Sequence, residues 1–365
     1  MKSRLVKFVK DVFIGRARDP RAHDVFHKMS LVAFLAWIGL GADGLSSSCY
    51  GPEAAFLALQ GHTYLSIFVA LATVGTVYLI SASYNQVIEL FPTGGGGYLV
   101  ASKLLSPTVG MVSGCALLID YVLTVALSVA SGVEAVFSFL PAPWCAYRVE
   151  VAAAVVAALT VLNMRGVRES VAPLIPIFLV FVATHVFVIL YAFVTHAGLL
   201  PQVAADTVGE TRAAVAQVGV AGVLMLIFRS YSLGAGTYTG IEAVSNGLNI
   251  LRDPKVQTGK RTMTYMVWSL AFTVFGLMVA YLLFRVEPQP GKTLNAVLFE
   301  AMTRGWGGAG EAFVVVTLLS EALLLFVAAQ TGFLGGPRVI ANMALDRWFP
   351  NRFANLSDRL VTQNG

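Results

Sequence analysis

Charge is what this chain lacks. Only 12% of its residues are Asp, Glu, Lys or Arg, against 57% hydrophobic, whereas a soluble domain carries about 25% charge. That shortage excludes a soluble globular protein, which could not cover so much apolar surface. Cysteine is scarce too. Cys49, Cys115 and Cys145 match no metal spacing, and nothing supports a disulfide between any two of them. The first 28 residues are basic and hold no continuous apolar run, which argues against a cleavable signal peptide. The formal charge of +5 does not imply nucleic-acid binding, because the basic residues are scattered through loops rather than gathered in one stripe.

What the chain has in abundance is long apolar runs. Eight membrane segments are expected, at about 30–59, 64–91, 107–140, 149–164, 170–196, 217–249, 262–285 and 309–334, each near the ~20 residues a span requires. An even count puts both termini on one side. Lys2, Arg4, Lys7, Lys10, Arg16, Arg18, Arg21 and Lys28 precede the first segment. Lys103, Arg165, Arg168, Arg252, Lys255, Lys260 and Arg261 fall in loops on that same side, and Arg338, Arg347, Arg352 and Arg359 follow the last segment. The opposite loops hold Arg148, Arg212, Lys292 and Arg304. The positive-inside rule places the basic side, with both termini, in the cytoplasm of a multi-pass plasma-membrane protein. The expected organisation is a cytoplasmic N-terminal segment (1–28), a transmembrane domain (29–340) and a cytoplasmic loop (341–365).

Two of the apolar segments are interrupted by glycine and oxygen-bearing residues. The first runs Gly39-Leu40-Gly41-Ala42-Asp43-Gly44-Leu45-Ser46-Ser47-Ser48-Cys49-Tyr50-Gly51-Pro52-Glu53. The second runs Ser232-Leu233-Gly234-Ala235-Gly236-Thr237-Tyr238-Thr239-Gly240-Ile241-Glu242. Backbone that leaves the helix inside a bilayer survives only within protein or beside a wet cavity. Broken helices at matching places in two halves of a chain point to a transporter's substrate site. Tyr50-Gly51-Pro52-Glu53-Ala54 is echoed by Thr239-Gly240-Ile241-Glu242-Ala243. Segments one and six therefore open two repeats of five helices, and an odd number per repeat inverts the second. The second repeat stops after three helices, so the chain is expected to be a C-terminally truncated piece.

Asp43 stands in the middle of segment one, where an ionisable group costs on the order of 3 kcal/mol unless it is paired or hydrated. Ser46, Ser47, Ser48 and Tyr50 lie beside it. In segment three, Asp120, Thr124 and Ser128 recur every fourth residue along one helical face, with Tyr121 adjacent. Small polar residues often form a seam between membrane helices, which accounts for Thr124 and Ser128 but not for Asp120. Thr237, Tyr238 and Thr239 add oxygens at the second break. Glu242 begins the half-helix beyond it, either as a proton or cation relay or as a carboxylate favoured by the helix dipole. Arg229, just before that break, pairs with an acid or stands in an outer vestibule. Glu89, with Asn85 and Gln86, is a candidate inner gate. Glu134, His185 and Glu321 are further intramembrane polar groups, each more often a packing residue than a relay.

Aspartates with hydroxyls are hard ligands that suit an alkali cation or an ammonium. Two carboxylates near one monovalent ion leave room for a proton, which offers proton coupling. The glycine run Gly94–Gly97 is no phosphate loop, since no Lys-Ser/Thr follows it and no strand precedes it. A tight turn or gate fits better.

Phe91-Pro92-Thr93-Gly94-Gly95-Gly96-Gly97-Tyr98, together with the two breaks, resembles the amino acid–polyamine–organocation superfamily. Asp43 with Tyr50, Asp120-Tyr121 with Thr124 and Ser128, and Thr239 with Glu242 resemble its Kup/KimA-type potassium–proton symporters. The resemblance implies an all-α, LeuT-like inverted repeat of five plus five helices, of which about eight are present. It implies potassium held by Asp43, Tyr50, Asp120, Tyr121, Thr124, Ser128 and Thr239. It also places Glu242 near the proton path, leaving Glu89 as the candidate gate.

The expected function is a secondary transporter importing potassium by proton symport and alternating access. It needs no cofactor, performs no enzymatic chemistry and has as partners potassium ions, protons and the lipid bilayer, with a homodimer left open. The alternative is an amino-acid permease of the same superfamily, against which Asp43 would repel a substrate carboxylate. A channel would keep its flux once the proton gradient had collapsed. A membrane enzyme would need a catalytic cluster at one membrane face.

Overall fold

In the computed structural model, residues 31–92, 94, 96–164 and 174–355 are described. The basic segment 1–28, Thr93 and Gly95 of the glycine run, Arg165, Arg168 and residues 356–365 lie outside them. The described chain is helical almost throughout. Its elements are α1 (Ala33–Ser46), α2 (Gly51–Ala58), α3 (Ser66–Leu90), α4 (Gly96–Leu104), α5 (Pro107–Phe137) and α6 (Arg148–Met164). They continue with α7 (Leu174–Thr195), α8 (Leu200–Leu233), α9 (Ala243–Asn246), α10 (Lys255–Leu283), α11 (Leu294–Thr303) and α12 (Gly308–Leu345).

Among the described residues, seven helical stretches are long and apolar enough to cross a membrane. The divided first segment completes the eight read from the sequence. It falls outside that set because α1 and α2 are 14 and 8 residues long, too short to span alone. The helix expected at 217–249 starts earlier. α8 begins at Leu200 and bends at Gly219, whose φ of 74° is open to glycine but strained for other residues. The last helix also continues past 334 to Leu345, with Pro337 inside it. The short helix α11, between α10 and α12, was not anticipated.

The breaks have local causes. In α1, the hydroxyls of Ser46 and Ser48 donate back to the carbonyls of Asp43 and Leu45, both at 2.7 Å, and Ser47 does the same to Gly44. Side chains thereby take over carbonyls released where the helix tightens into the turn Ser47–Cys49. Pro52 then starts α2 at a position where no intrahelical N–H is needed. In the second half, α8 passes into a tight turn, Gly234–Tyr238, before the single turn of α9. Ser106 caps α5 through the Val109 N–H at 3.2 Å, and Thr293 caps α11 through the Ala296 N–H at 3.2 Å.

α10 is the central post. Of its most apolar stretch 78% is buried, against 6% for that of α6, so α10 is the core and α6 presents its apolar surface to lipid. α10 packs on α1, α3 and α7, while α12 runs along α5 and also meets α1 and α7. The two half-helices leave side by side at the basic face. There the Leu31 N–H donates to the Ile250 carbonyl and the Arg252 N–H to the Leu31 carbonyl, each at 2.9 Å.

Candidate functional site

The two interruptions meet. The Ser47 hydroxyl donates across to the Thr237 carbonyl at 3.0 Å. The Tyr50 hydroxyl lies 3.3 Å from Thr239 Oγ1 and 3.4 Å from the Gly236 carbonyl. Tyr50 and Thr239 occupy the same place in the sequence echo, so the paired positions of the two repeats touch. Contact this close requires glycine. A Cβ on Gly240, at φ +81°, would stand 2.5 Å from the Gly44 nitrogen and 2.8 Å from Asp43 Cγ. Outside the breaks, the Ser230 hydroxyl of α8 donates to the Ala55 carbonyl of α2 at 2.7 Å, binding the two half-helices together.

Asp43 sits at this junction with 3% of its surface exposed. Among the described residues no hydrogen-bond donor or cationic side chain reaches its carboxyl. What does reach it is negative: Glu242 and, more weakly, Asp120 act on it through space. Glu242 is buried as well, and its carboxyl accepts the backbone N–H of its own residue and of Gly240. A buried carboxylate without donors is costly to ionise, and two more carboxylates nearby increase the cost. The cluster is arranged to take in positive charge, as a cation or as a proton.

The third-segment residues approach from α5. Tyr121, Thr124 and Ser128 are buried and Asp120 is half-buried. Ser128 Oγ is enclosed without a partner among the described residues, an orphaned acceptor of the kind a ligand satisfies. Tyr121 ties α5 to α9. Its hydroxyl accepts from Asn246 Nδ2 of α9 at 3.1 Å, and its ring packs with Tyr98, Val339 and Met343. Glu89 stands apart from the others, exposed at the end of α3 and paired with Lys260 of α10. Its position is that of a strap between helices at the basic face. Arg229 meets no acid among the described residues and lines a cavity of about 330 Å³ with Gln60, His62 and Met225. Glu134 pairs with Arg148 at 3.0 Å.

Asn246 was missed at the sequence level. It follows the second break by one helical turn, and a polar residue in that position was its only signal. Among the described residues no three His, Cys, Asp or Glu side chains gather closely enough to chelate a metal.

Two interrupted helices meeting mid-bundle, with acids and hydroxyls at the junction, define a membrane permease built on the LeuT-like plan. The family model for amino acid permeases matches residues 33–362. The chain belongs to the amino acid permease family of the amino acid–polyamine–organocation superfamily. It is 31% identical over 364 residues, 98% of its length, to the potassium transporter KimA of Bacillus subtilis. It is 25% identical over 302 residues, 80% of its length, to the low-affinity putrescine importer PlaP of Escherichia coli. The chain spans 57% of the first relative's length and 62% of the second's. Permeases and transporters make up this family, not enzymes.

Proposed function

We propose that the chain is the core of a plasma-membrane potassium importer, driven by proton symport and working by alternating access. The observation that carries this reading is Asp43: buried, without a donor among the described residues, and pressed by two other acids at the meeting point of the breaks. In the bound state a dehydrated potassium ion lies against Asp43, with oxygens supplied by Tyr50, Thr239, Asp120, Thr124 and Ser128. Tyr121 holds the inner wall in place through Asn246. Carbonyls freed at the breaks complete the shell, as water ligands are replaced by protein oxygens. Glu242 takes up the proton, since one monovalent cation leaves the cluster negative. The half-helices α2 and α9, freed from continuous hydrogen bonding, tilt to open either face in turn. The Glu89–Lys260 strap closes the basic face, which the charge distribution assigns to the cytoplasm. The relation to a potassium transporter at 31% identity supports this choice of cargo.

The relation to a putrescine importer favours a second reading, an organic cation as cargo. Putrescine carries two ammonium groups and would satisfy two carboxylates at once. Uptake of radioactive rubidium and of putrescine into proteoliposomes, with and without an inward proton gradient, separates the readings. Rubidium uptake that depends on the gradient and disappears in Asp43→Asn is the expected result. Putrescine uptake without rubidium uptake establishes the second reading. Rubidium flux indifferent to the gradient contradicts symport.

A further inference from the structure

The helix α8 changes character at Gly219. Past that bend it becomes an apolar run whose outward face is uncovered, with Met225 70% exposed and Phe228 62%. Of the most apolar stretch in this part of the chain only 11% is buried, against 78% for that of α10, so this side of α8 meets acyl chains. Arg229 stands in that run and is exposed, about 15 Å along the helix from Gly219. A guanidinium keeps its proton in any protein setting, and a charge at such a place is costly until it finds a partner.

The side chain has a place to go. Side chains on a helix tilt toward its N-terminus, and a long cationic one follows that tilt toward the membrane–water interface. Arg229 accordingly shares its cavity of about 330 Å³ with Gln60 and His62, which belong to the loop between α2 and α3. The remaining wall is apolar, made by Val218, Met225 and Leu226. Gly222 keeps the groove open, since a Cβ there would meet only the Val218 side chain. Glu210, on the first part of α8, is turned to the loop instead. Its carboxylate lies 3.5 Å from His62 Nδ1 and accepts the Tyr64 N–H at 3.3 Å.

A lone guanidinium at the rim of an apolar groove that faces lipid matches one chemistry, a phosphate ester carrying acyl chains. Arginine meets a phosphate with paired N–H donors, and the Gln60 amide supplies a further donor. Val218, Met225 and Leu226 then lie along an acyl chain. A free anion would meet the same donors but would give up water against the apolar wall with nothing in exchange. A zwitterionic lipid brings its own cation to the phosphate and has less need of Arg229.

We propose that this cavity is a binding site for an anionic phospholipid, in the leaflet on the side of the α2–α3 loop, with the lipid phosphate on Arg229. The site adjoins Ser230, whose hydroxyl ties α8 to Ala55 of α2, so the bound lipid braces the junction between the two halves. It does not depend on which cation is carried.

The test uses the full chain purified in detergent. It is titrated with phosphatidylglycerol, phosphatidylcholine and inorganic phosphate, and bound molecules are counted by native mass spectrometry. A single phosphatidylglycerol is expected to bind about tenfold more tightly than phosphatidylcholine, and inorganic phosphate should not displace it. Arg229→Gln should abolish that preference. The basic loops are the same in both chains, so the difference belongs to the cavity. Gly222→Leu keeps Arg229 but fills the groove, and should lose the lipid as well. Phosphatidylglycerol should also raise the melting temperature of the parent by several degrees and leave that of Arg229→Gln unmoved. Equal binding of the two lipids, or a preference that survives in Arg229→Gln or in Gly222→Leu, overturns the proposal. Displacement by inorganic phosphate would reduce the site to a simple anion site and overturn it too. So would a dimer that Arg229→Gln dissolves, which would give the cavity to a second copy of the chain.

Discussion

Two acids are buried about equally deeply and are treated in opposite ways. Glu321 is 1% exposed, accepts a hydrogen bond from Asn295 and lies 2.8 Å from His185 Nε2. Asp43 is 3% exposed and receives none among the described residues, only the repulsion of Glu242 and Asp120. The first is an acid the fold has satisfied, and its contacts are part of what holds α7, α11 and α12 together. The second is an acid the fold has left unsatisfied, which is tolerable only if something outside the chain completes it. A buried polar group thus indicates its role by its partners more than by its depth.

The comparison can be broken by substitution. The largest expected effect is on transport. Asp43→Asn should reduce rubidium uptake by about a hundredfold or more, since a neutral amide cannot balance a dehydrated cation, while the thermal melting point in detergent stays level or rises. A melting point that fell sharply would show Asp43 to be structural and erase the contrast. Glu321→Ala should do the reverse to the fold. Stranding His185 is expected to cost about 3–5 kcal/mol of stability, and His185→Leu combined with Glu321→Leu should recover much of it. Thermal unfolding of the three variants checks this.

Gly240→Ala introduces a Cβ where the Gly44 backbone already stands, at a φ of +81°. About 1–3 kcal/mol of strain and uptake reduced by about tenfold or more are expected, with normal uptake contradicting close contact between the breaks. Tyr50→Phe removes the hydroxyl shared with Thr239, worth about 0.5–1.5 kcal/mol, so the half-saturating rubidium concentration should rise several-fold with the maximal rate little changed. The smallest effect belongs to Glu89→Gln, which frees an exposed pair worth under about 1 kcal/mol. It should leave stability unchanged and alter only the rate of uptake.

Much of this was legible in the sequence because membrane physics writes in a coarse hand. The runs around α3, α5, α7 and α10 are long, apolar and bounded by charge, and no alternative satisfies their backbone in lipid. The breaks were legible for the same reason. Gly39, Gly41 and Gly44 with three serines, or Gly234, Gly236 and Gly240 with three hydroxyl residues, cannot be unbroken lipid-facing helix. Less legible were the ends. α8 begins seventeen residues before the expected start of its span because a more polar stretch, Leu200–Val218, stays helical beyond the apolar one, and hydropathy marks only the portion that must be dry. α11 escaped because ten residues are too few to span.

His185 and Glu321 were visible as isolated polar residues and nothing more. They are 136 positions apart, and no local pattern announces that two such residues face each other. The sequence by itself determined that this is a membrane chain with two interrupted helices and an aspartate in the first, because composition and backbone hydrogen bonding in lipid leave little else. Only the tertiary structure decided which acids have partners. That depends on which helix faces meet, and the meeting is set by packing around α10 between residues far apart in the chain.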